Sequence, residues 1–150
     1  MSSVTTSAIR GFNAEYRFLS NFWPCDRPIE LNGNVYSTVE HAYQAAKTLD
    51  PELRYAIAIA PTPGEAKRIG KRVTLRPGWE GMKVKVMRDL VAQKFKLGTR
   101  LAEWLNDTGL RYLEETNSWG DTFWGVYRGK GDNTLGCILM DVRHENRQRR

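Results

Sequence analysis

Apolar residues recur at the spacing of an amphipathic helix along most of the chain. The longest such pattern runs from Glu80 to about Leu97, and its basic residues lie largely opposite an apolar side made of Met82, Val86, Leu90 and Val91. "TRLAEWLNDTG" predicts a shorter helix that Gly109 ends. A last helix is predicted from about Thr134 to Arg143, with Asn133 as its cap.

The segment "VYSTVEHAYQAAK" predicts a helix from Ser37 to about Leu49. Its buried side is expected to hold Val39, Ala42, Tyr43 and Ala46. Ser37 followed three residues later by Glu40 has the form of a capping box, in which Glu40 reaches back to the N–H of Ser37. A short helix from Glu52 to Ala60 is expected next. "PTPGEAKRIGKR" then repeats the start signal, with Thr62 as cap and Glu65 completing the box.

Shorter segments have the pattern of strands. "PIELNGNVYS" predicts a hairpin with Asn32-Gly33 as its turn. "YRFLSNF" is typical of a strand or a strand-like loop, and "LRYLEET" and "FWGVY" predict short strands. The sequence therefore predicts one mainly helical α+β domain over residues 1–150, with its core at about 12–143 and a basic tail at 144–150.

Composition changes this picture little: 41% hydrophobic and 27% charged residues are ordinary for a globular domain. No apolar run is long enough to span a membrane, and the first residues lack the apolar core of a signal peptide. Cys25 and Cys137 are too few for a disulfide framework, so we expect packed thiols in a reducing, cytoplasmic setting without a membrane partner.

The net charge of +6 is concentrated in two places. "KRIGKRVTLR" holds five cations in ten residues, and "RHENRQRR" adds four arginines. Such clusters attract phosphates of nucleic acid or of a small substrate. For the tail we favour a frayed, solvated segment, whereas the first cluster remains open between a solvated helix face and a phosphate site.

Two groups of residues suggest chemistry. Glu40, Gln44 and Lys47 form one helical stripe with Tyr43 at its edge, which fits a solvated face and a cleft for a charged ligand about equally well. Asp121 lies between Trp119 and Trp124, where it either caps a turn or serves as an acid.

Other chemistries are disfavoured by the sequence. His41 and His144 are the only histidines, which makes a histidine metal site improbable, and no G-x-S-x-G or P-loop motif occurs. His41 points away from the stripe of Glu40 and is expected to be a satisfied or half-exposed side chain. Carboxylates and lysines remain, and they suit proton transfer, cation stabilisation and imine formation without a cofactor or metal.

The order of the motifs resembles the YbiA-like family, also called NADAR, over about residues 12–143. The segments that carry the resemblance are "FLSNF", "YSTVEHAYQAAK", "EAKRIGKR", "MKVKVMRDLVAQKF", "LNDTG", "WGDTFWG" and "NTLGCILMDVR". The resemblance implies a mainly helical α+β fold and N-glycosidase activity on ribosylated bases. Members cleave early riboflavin-pathway intermediates, and related domains remove ADP-ribose from guanine. One departure, Thr48-Leu49 after the lysine, bears on the shape of the pocket.

Carried over by position, the resemblance implies that Glu40 acts beside the sugar. Asp121 would activate water or protonate the base, and Lys47 would bind the substrate or form an imine with the opened ribose. Lys67 and Lys71 would hold phosphate. The full set of implied substrate-binding residues is Asn21, Tyr43, Gln44, Lys67, Lys71, Trp79, Trp124 and Asn133, with the two tryptophans stacking on the base.

The expected substrate is thus a small phosphorylated ribosyl-base compound. One alternative is an enzyme that acts on ADP-ribosylated guanine in nucleic acid. Others are a module that binds nucleic acid or ADP-ribose without cleaving it, and a structural protein whose tryptophans are core.

Overall fold

The computed structural model describes residues 7–150, which form two compact units. Unit 1 joins the N-terminal residues up to Ser20 to Phe95–Arg150, and unit 2 is the intervening segment Asn21–Lys94. The described helices are a 3-10 helix (Ala14–Leu19), α1 (Val39–Ala46), α2 (Pro51–Ala58), α3 (Pro63–Gly70), α4 (Trp79–Lys94), α5 (Arg100–Asp107) and α6 (Thr134–Gln148). The strands are β1 (Ile9–Arg10), β2 (Ile29–Leu31), β3 (Asn34–Tyr36), β4 (Leu113–Glu114), β5 (Thr116–Asn117) and β6 (Val126–Tyr127). The fold is mainly helical α+β, as predicted.

Unit 2 is organised around α1, which packs against α2, α3 and α4. Val39 and Ala42 of α1 and Leu90 of α4 are completely buried in it. The predicted hairpin is confirmed as antiparallel β2–β3, with Ile29 opposite Tyr36. Asn32 and Gly33 both have positive φ, at 53° and 83°, as the turn of a two-residue hairpin requires. No helix in residues 7–150 is both long and apolar enough to cross a membrane.

The cap predicted at Ser37 is wrong by one residue. Thr38 is the N-cap of α1, and its Oγ1 accepts the N–H of His41 at 3.0 Å. Ser37 instead uses its carbonyl oxygen to accept the N–H of Cys25. Glu40 therefore does not complete a capping box with Ser37, and α1 ends at Ala46 rather than near Leu49. At Thr62 the predicted cap is confirmed, because its Oγ1 accepts the N–H of Glu65 at 3.1 Å.

In unit 1, the segment predicted as a strand or strand-like loop is the 3-10 helix Ala14–Leu19. Phe18 and Leu19 are both buried although they are neighbours in sequence. A strand would send adjacent side chains to opposite faces, so it cannot bury both against one core. Two short parallel pairs complete the strands of this unit, β1 with β4 and β5 with β6.

The frayed tail predicted for residues 144–150 is also wrong, because α6 continues to Gln148. Arg147 donates from Nε to Oδ1 of Asn106 and from Nη2 to its carbonyl oxygen, both at 3.0 Å. Arg143, which is buried, donates to Thr108 Oγ1 and to the carbonyl oxygen of Arg111, both at 2.8 Å. Arg143 and Arg147 thus hold α6 against the rest of unit 1.

Candidate active site

Glu40 lies in the first turn of α1 and is only 8% exposed. Its backbone N–H donates to the carbonyl oxygen of Asn21 at 3.1 Å, so the start of the helix is held by chain from the beginning of unit 2. The first turn of a helix carries partial positive charge, which favours a carboxylate there. The local structure therefore places an acid at a helix N-terminus and inside the protein.

Gln44 follows one turn later and donates from Nε2 to Oε2 of Glu40 at 2.6 Å. Only 4% of Gln44 is exposed. Its other amide atom, Oε1, is buried and accepts no hydrogen bond in the described part of the chain. An unmet buried acceptor costs about 1–3 kcal/mol. The solvated-stripe interpretation of Glu40 and Gln44 is therefore wrong.

Burial raises the pKa of the Glu40 carboxyl above its ordinary value, because removal from water disfavours the charged form. The hydrogen bond from Gln44 and the charges of Lys67 and Lys47 oppose this rise without cancelling it. The carboxyl group of Glu40 is thus close to positively charged side chains but poorly hydrated. A perturbed carboxyl in such surroundings is typical of functional sites.

Lys47 stands at the C-terminal end of α1, half-buried, with Nζ 5.5 Å from the centre of the Tyr43 ring. Burial lowers the pKa of its amine, and the charge of Glu40 partly restores it. Three further cations lower that pKa in the same direction: Lys67, Lys71 and Lys83. Lys47 is therefore within electrostatic reach of three other lysines, and of these Lys67 also acts on Glu40.

Lys67 and Lys71 come within electrostatic reach of Lys47 because α3 approaches α1 very closely. The contact occurs at Gly70, where a Cβ would lie 1.9 Å from Oε1 of Gln44 and 2.9 Å from its Cβ. A larger residue at this position would therefore require the Gln44 side chain to move. Gly70 was not among the predicted site residues, although a glycine inside a helix costs about 1 kcal/mol relative to alanine and so signals a packing role.

Tyr43 and Trp79 pack together beside the acid, with ring centres 5.3 Å apart and planes inclined at 54°. They are 7% and 4% exposed, so the tryptophan supports Tyr43 from the interior. Stacking of Trp79 on a substrate base stays a prediction. Asn21, which is also predicted to bind the substrate, is half-buried. Its Nδ2 lies 3.5 Å from the sulfur of Met87.

His41 is buried and satisfied, as expected. Its Nε2 lies 3.0 Å from the carbonyl oxygen of Ala60, which can only accept, so Nε2 carries the proton and Nδ1 accepts from the hydroxyl of Thr38 at 2.7 Å. This chain ties the start of α1 to the loop before α3. Within residues 7–150 no three His, Cys, Asp or Glu side chains are grouped so that they could hold a metal ion.

The remaining predicted site residues lie in unit 1. Asp121 caps a turn: its Oδ1 accepts the N–H groups of Phe123 at 3.0 Å and Trp124 at 2.9 Å. The half-buried ring of Trp124 meets that of Phe123 edge-on at 4.9 Å. The turn interpretation of Asp121 is thus confirmed, and its role in chemistry stays a prediction, as does stacking by Trp124.

Asn133 is the N-cap residue of α6, as predicted, but its side chain makes no capping hydrogen bond to the helix. Its side chain turns inward instead, where Oδ1 accepts the N–H of Glu115 at 2.9 Å and Nδ2 donates to the carbonyl oxygen of Leu113 at 2.8 Å. Its backbone has a φ of 53°, which asparagine tolerates better than most residues. The amide thus supports a loop, and its role in substrate binding stays a prediction.

The chain is similar to known proteins along most of its length. The family model described as "NADAR domain" matches residues 10–147. The chain is 37% identical to "N-glycosidase YbiA" of Shigella flexneri serotype 5b, covering 87% of this chain and 82% of that protein. It is 40% identical to "N-glycosidase Npun_R5314" of Nostoc punctiforme, with coverage of 88% and 86%.

Two further comparisons extend the picture. "Riboflavin biosynthesis protein VVA0006" of Vibrio vulnificus is 40% identical over 85% of this chain, which spans 35% of that longer protein. The NMR structure of the Escherichia coli protein YbiA superposes with a TM-score of 0.83 at 32% identity, covering 98% of this chain and 89% of that one. The chain belongs to the NADAR family. It is an enzyme of the N-glycosidase type.

Proposed function

We propose that the protein hydrolyses the N-glycosidic bond between a phosphorylated ribose and a base, with the early intermediates of riboflavin biosynthesis as the substrate class. The observation that carries the proposal is the buried carboxyl of Glu40, which bonds Gln44 and lies within electrostatic reach of Lys47 and Lys67. The riboflavin-pathway name of the Vibrio vulnificus relative supports this class of substrate.

Glu40 suits the sugar side of the reaction. Breaking a ribosyl C–N bond places positive charge on the anomeric carbon in an oxocarbenium-like state. A carboxylate that has been removed from water interacts strongly with such a charge, because the surroundings screen it poorly. Burial that disfavours the anion in the free enzyme therefore increases its interaction with a cationic transition state.

The lysines suit the charged end of the substrate. Lys67 lies one helical turn before Lys71, and both affect the same amine electrostatically. Ammonium groups on one helix face, one turn apart, are able to converge on one phosphate. Asp121 is the proposed group for water activation or base protonation, although its Oδ1 already accepts two backbone N–H groups.

Lys47 has two open roles. In the simpler scheme water attacks directly and Lys47 only binds the substrate. In the second, its amine attacks the aldehyde of the opened ribose and forms an imine. The lowered pKa of Lys47 favours the second, since more of the amine is neutral and nucleophilic.

The test is incubation of the purified protein with phosphorylated ribosylamino-pyrimidine compounds and with ADP-ribosylated guanine oligonucleotides, followed by mass spectrometry. We expect released base and ribose phosphate from the first, and a loss of at least about a hundredfold in kcat for Glu40→Gln. If only the oligonucleotide is cleaved, the substrate is ADP-ribosylated guanine in nucleic acid and not a riboflavin-pathway intermediate. Near wild-type turnover by Glu40→Gln would remove Glu40 from the chemistry.

Phosphate recognition has a separate readout. Changing Lys67 and Lys71 together to alanine should raise KM about tenfold or more for the phosphorylated substrate, since two charged contacts are lost. The dephosphorylated compound should be affected far less. An equal change in KM for the two substrates would exclude these lysines from phosphate binding.

A further inference from the structure

The amide of Gln44 lies between the carboxyl of Glu40 and the backbone of α3. Its Nε2 is 2.6 Å from Oε2 of Glu40. An ionised carboxylate only accepts hydrogen bonds, so it requires the N–H₂ end of an amide. The contact with Glu40 therefore decides which end of the Gln44 amide faces the acid.

The other end of that amide faces Gly70. A Cβ on residue 70 would lie 1.9 Å from Oε1 and 2.7 Å from Cδ of Gln44, so the space that the amide occupies exists only because residue 70 is glycine. Among the described residues no donor bonds Oε1. Gly70 thus provides room for the oxygen without a hydrogen bond, and the position of the amide depends on that room and on Glu40.

We infer that Gln44 is a positioning residue that holds Glu40 in one orientation as an ionised carboxylate, and that Gly70 is the residue that lets it do so. The inference rests on the proposed catalytic role of Glu40. A hydrogen bond to a charged acceptor stabilises the charged form, and here it acts against the loss of hydration. The same contact couples the helix that bears Lys67 and Lys71 to the acid.

The first test follows the titration of Glu40 directly, by carbon-13 NMR of glutamate side-chain carboxyls, with the Glu40 signal identified by its absence in Glu40→Gln. Gln44→Met keeps an unbranched buried side chain and removes the donor. Gly70→Ala displaces the amide. Both should move the Glu40 titration to higher pH, and adding Gly70→Ala to Gln44→Met should move it no further.

Gly64→Ala is the matched control, because it lies on the same helix and a Cβ there meets nothing closer than Thr62 Oγ1 at 3.8 Å. Its Glu40 titration should equal that of the unaltered protein. Gln44→Met leaves Gly70 unchanged and keeps the test available if Gly70→Ala does not fold. An unmoved Glu40 titration in Gln44→Met would overturn the inference, whatever the enzyme's substrate.

The second test is the pH dependence of the rate. Gln44→Met and Gly70→Ala should lower kcat about tenfold near neutral pH with KM within about twofold, and the rate should recover as pH rises and Glu40 ionises. An equal loss at every pH would show a packing role only and overturn the inference. Full activity of Glu40→Gln would defeat the proposed function while leaving the titration result to stand by itself.

Discussion

At the scale of single residues, the main feature is an acid kept where water would normally stabilise it. The pKa of Glu40 is raised above its ordinary value of 4.5, with burial as the largest cause. Between that ordinary value and the raised one, the folded protein binds more protons than the unfolded chain. Stability must then fall as pH rises through this interval.

The substitution Glu40→Gln should remove this decline. Glutamine keeps an acceptor for Nε2 of Gln44 but carries no charge. At pH 7–8 the variant should therefore have a higher free energy of unfolding than the unaltered protein. The gain should vanish near pH 4, where Glu40 is protonated in both states. Thermal melts across this range measure it.

Glu52→Gln supplies the comparison, because Glu52 is an exposed residue in the first turn of α2. Its stability should still fall with rising pH, because Glu40 is intact in this variant. A stability curve for Glu40→Gln that runs parallel to that of the unaltered protein from pH 4 to 8 would mean that Glu40 does not carry a raised pKa.

The amine of Lys47 gives a second residue-scale prediction. Because its pKa is lowered, treatment of enzyme and substrate with borohydride should trap a stable adduct whose mass includes the sugar. The adduct should be absent from Lys47→Ala. If no adduct forms during turnover and Lys47→Arg retains much of the activity, the lysine only binds.

At the scale of secondary-structure elements, the start of α1 predicts different effects on stability for substitutions of the neighbouring residues Thr38 and Ser37. Thr38→Ala should cost about 1 kcal/mol or more in the free energy of unfolding, because Oγ1 of Thr38 accepts the His41 N–H and also contacts the His41 ring. Ser37→Ala should cost less than about 0.5 kcal/mol, since Ser37 is exposed. Denaturant unfolding of both variants checks this. A larger loss of stability for Ser37→Ala than for Thr38→Ala would support Ser37 as the N-cap, as predicted from sequence.

The same helix shows what sequence can and cannot predict. The apolar period located α4 and α5 because each buries one side, and that property is local; α1 is different, because all eight of its residues are buried where the pattern predicted one buried side. Choosing between Ser37 and Thr38 was beyond the pattern, since both are good caps and Glu40 matched the spacing of a box with Ser37. The choice depends on tertiary contacts: the N–H of Glu40 bonds the carbonyl of Asn21, and Ser37 bonds Cys25.

The site was predictable to the same extent. Glu40, Gln44 and Lys47 were placed on one stripe by helical spacing alone, and the structure keeps them together on α1. Whether that stripe faced water depended on the approach of α3 at Gly70, a contact between helices that no local pattern encodes. The inward direction of the Asn133 side chain was missed for the same reason, because that side chain bonds backbone from a distant segment.

At the scale of the whole molecule, the C-terminal segment is structural. Deleting residues 144–150 removes the bonds of Arg147 to Asn106 and of Asn146 to the carbonyl of Phe95, and should cost about 2–4 kcal/mol of stability. Deleting only residues 149–150 removes one exposed ion pair, between Arg150 and Glu103, and should cost under about 1 kcal/mol. Equal melting temperatures for the two truncations would support the prediction from sequence that residues 144–150 are a frayed tail.

Unit 1 is assembled from both ends of the described chain, with Ile9 paired to Leu113 and Arg111 donating to the carbonyl oxygen of Ser7. These last two residues are 104 positions apart. At a synthesis rate of about 5–20 residues per second, β1 emerges from the ribosome roughly 5–20 s before its partner strand exists. During that interval β1 is an unpaired strand edge, open to chaperones and to other nascent chains on the same message.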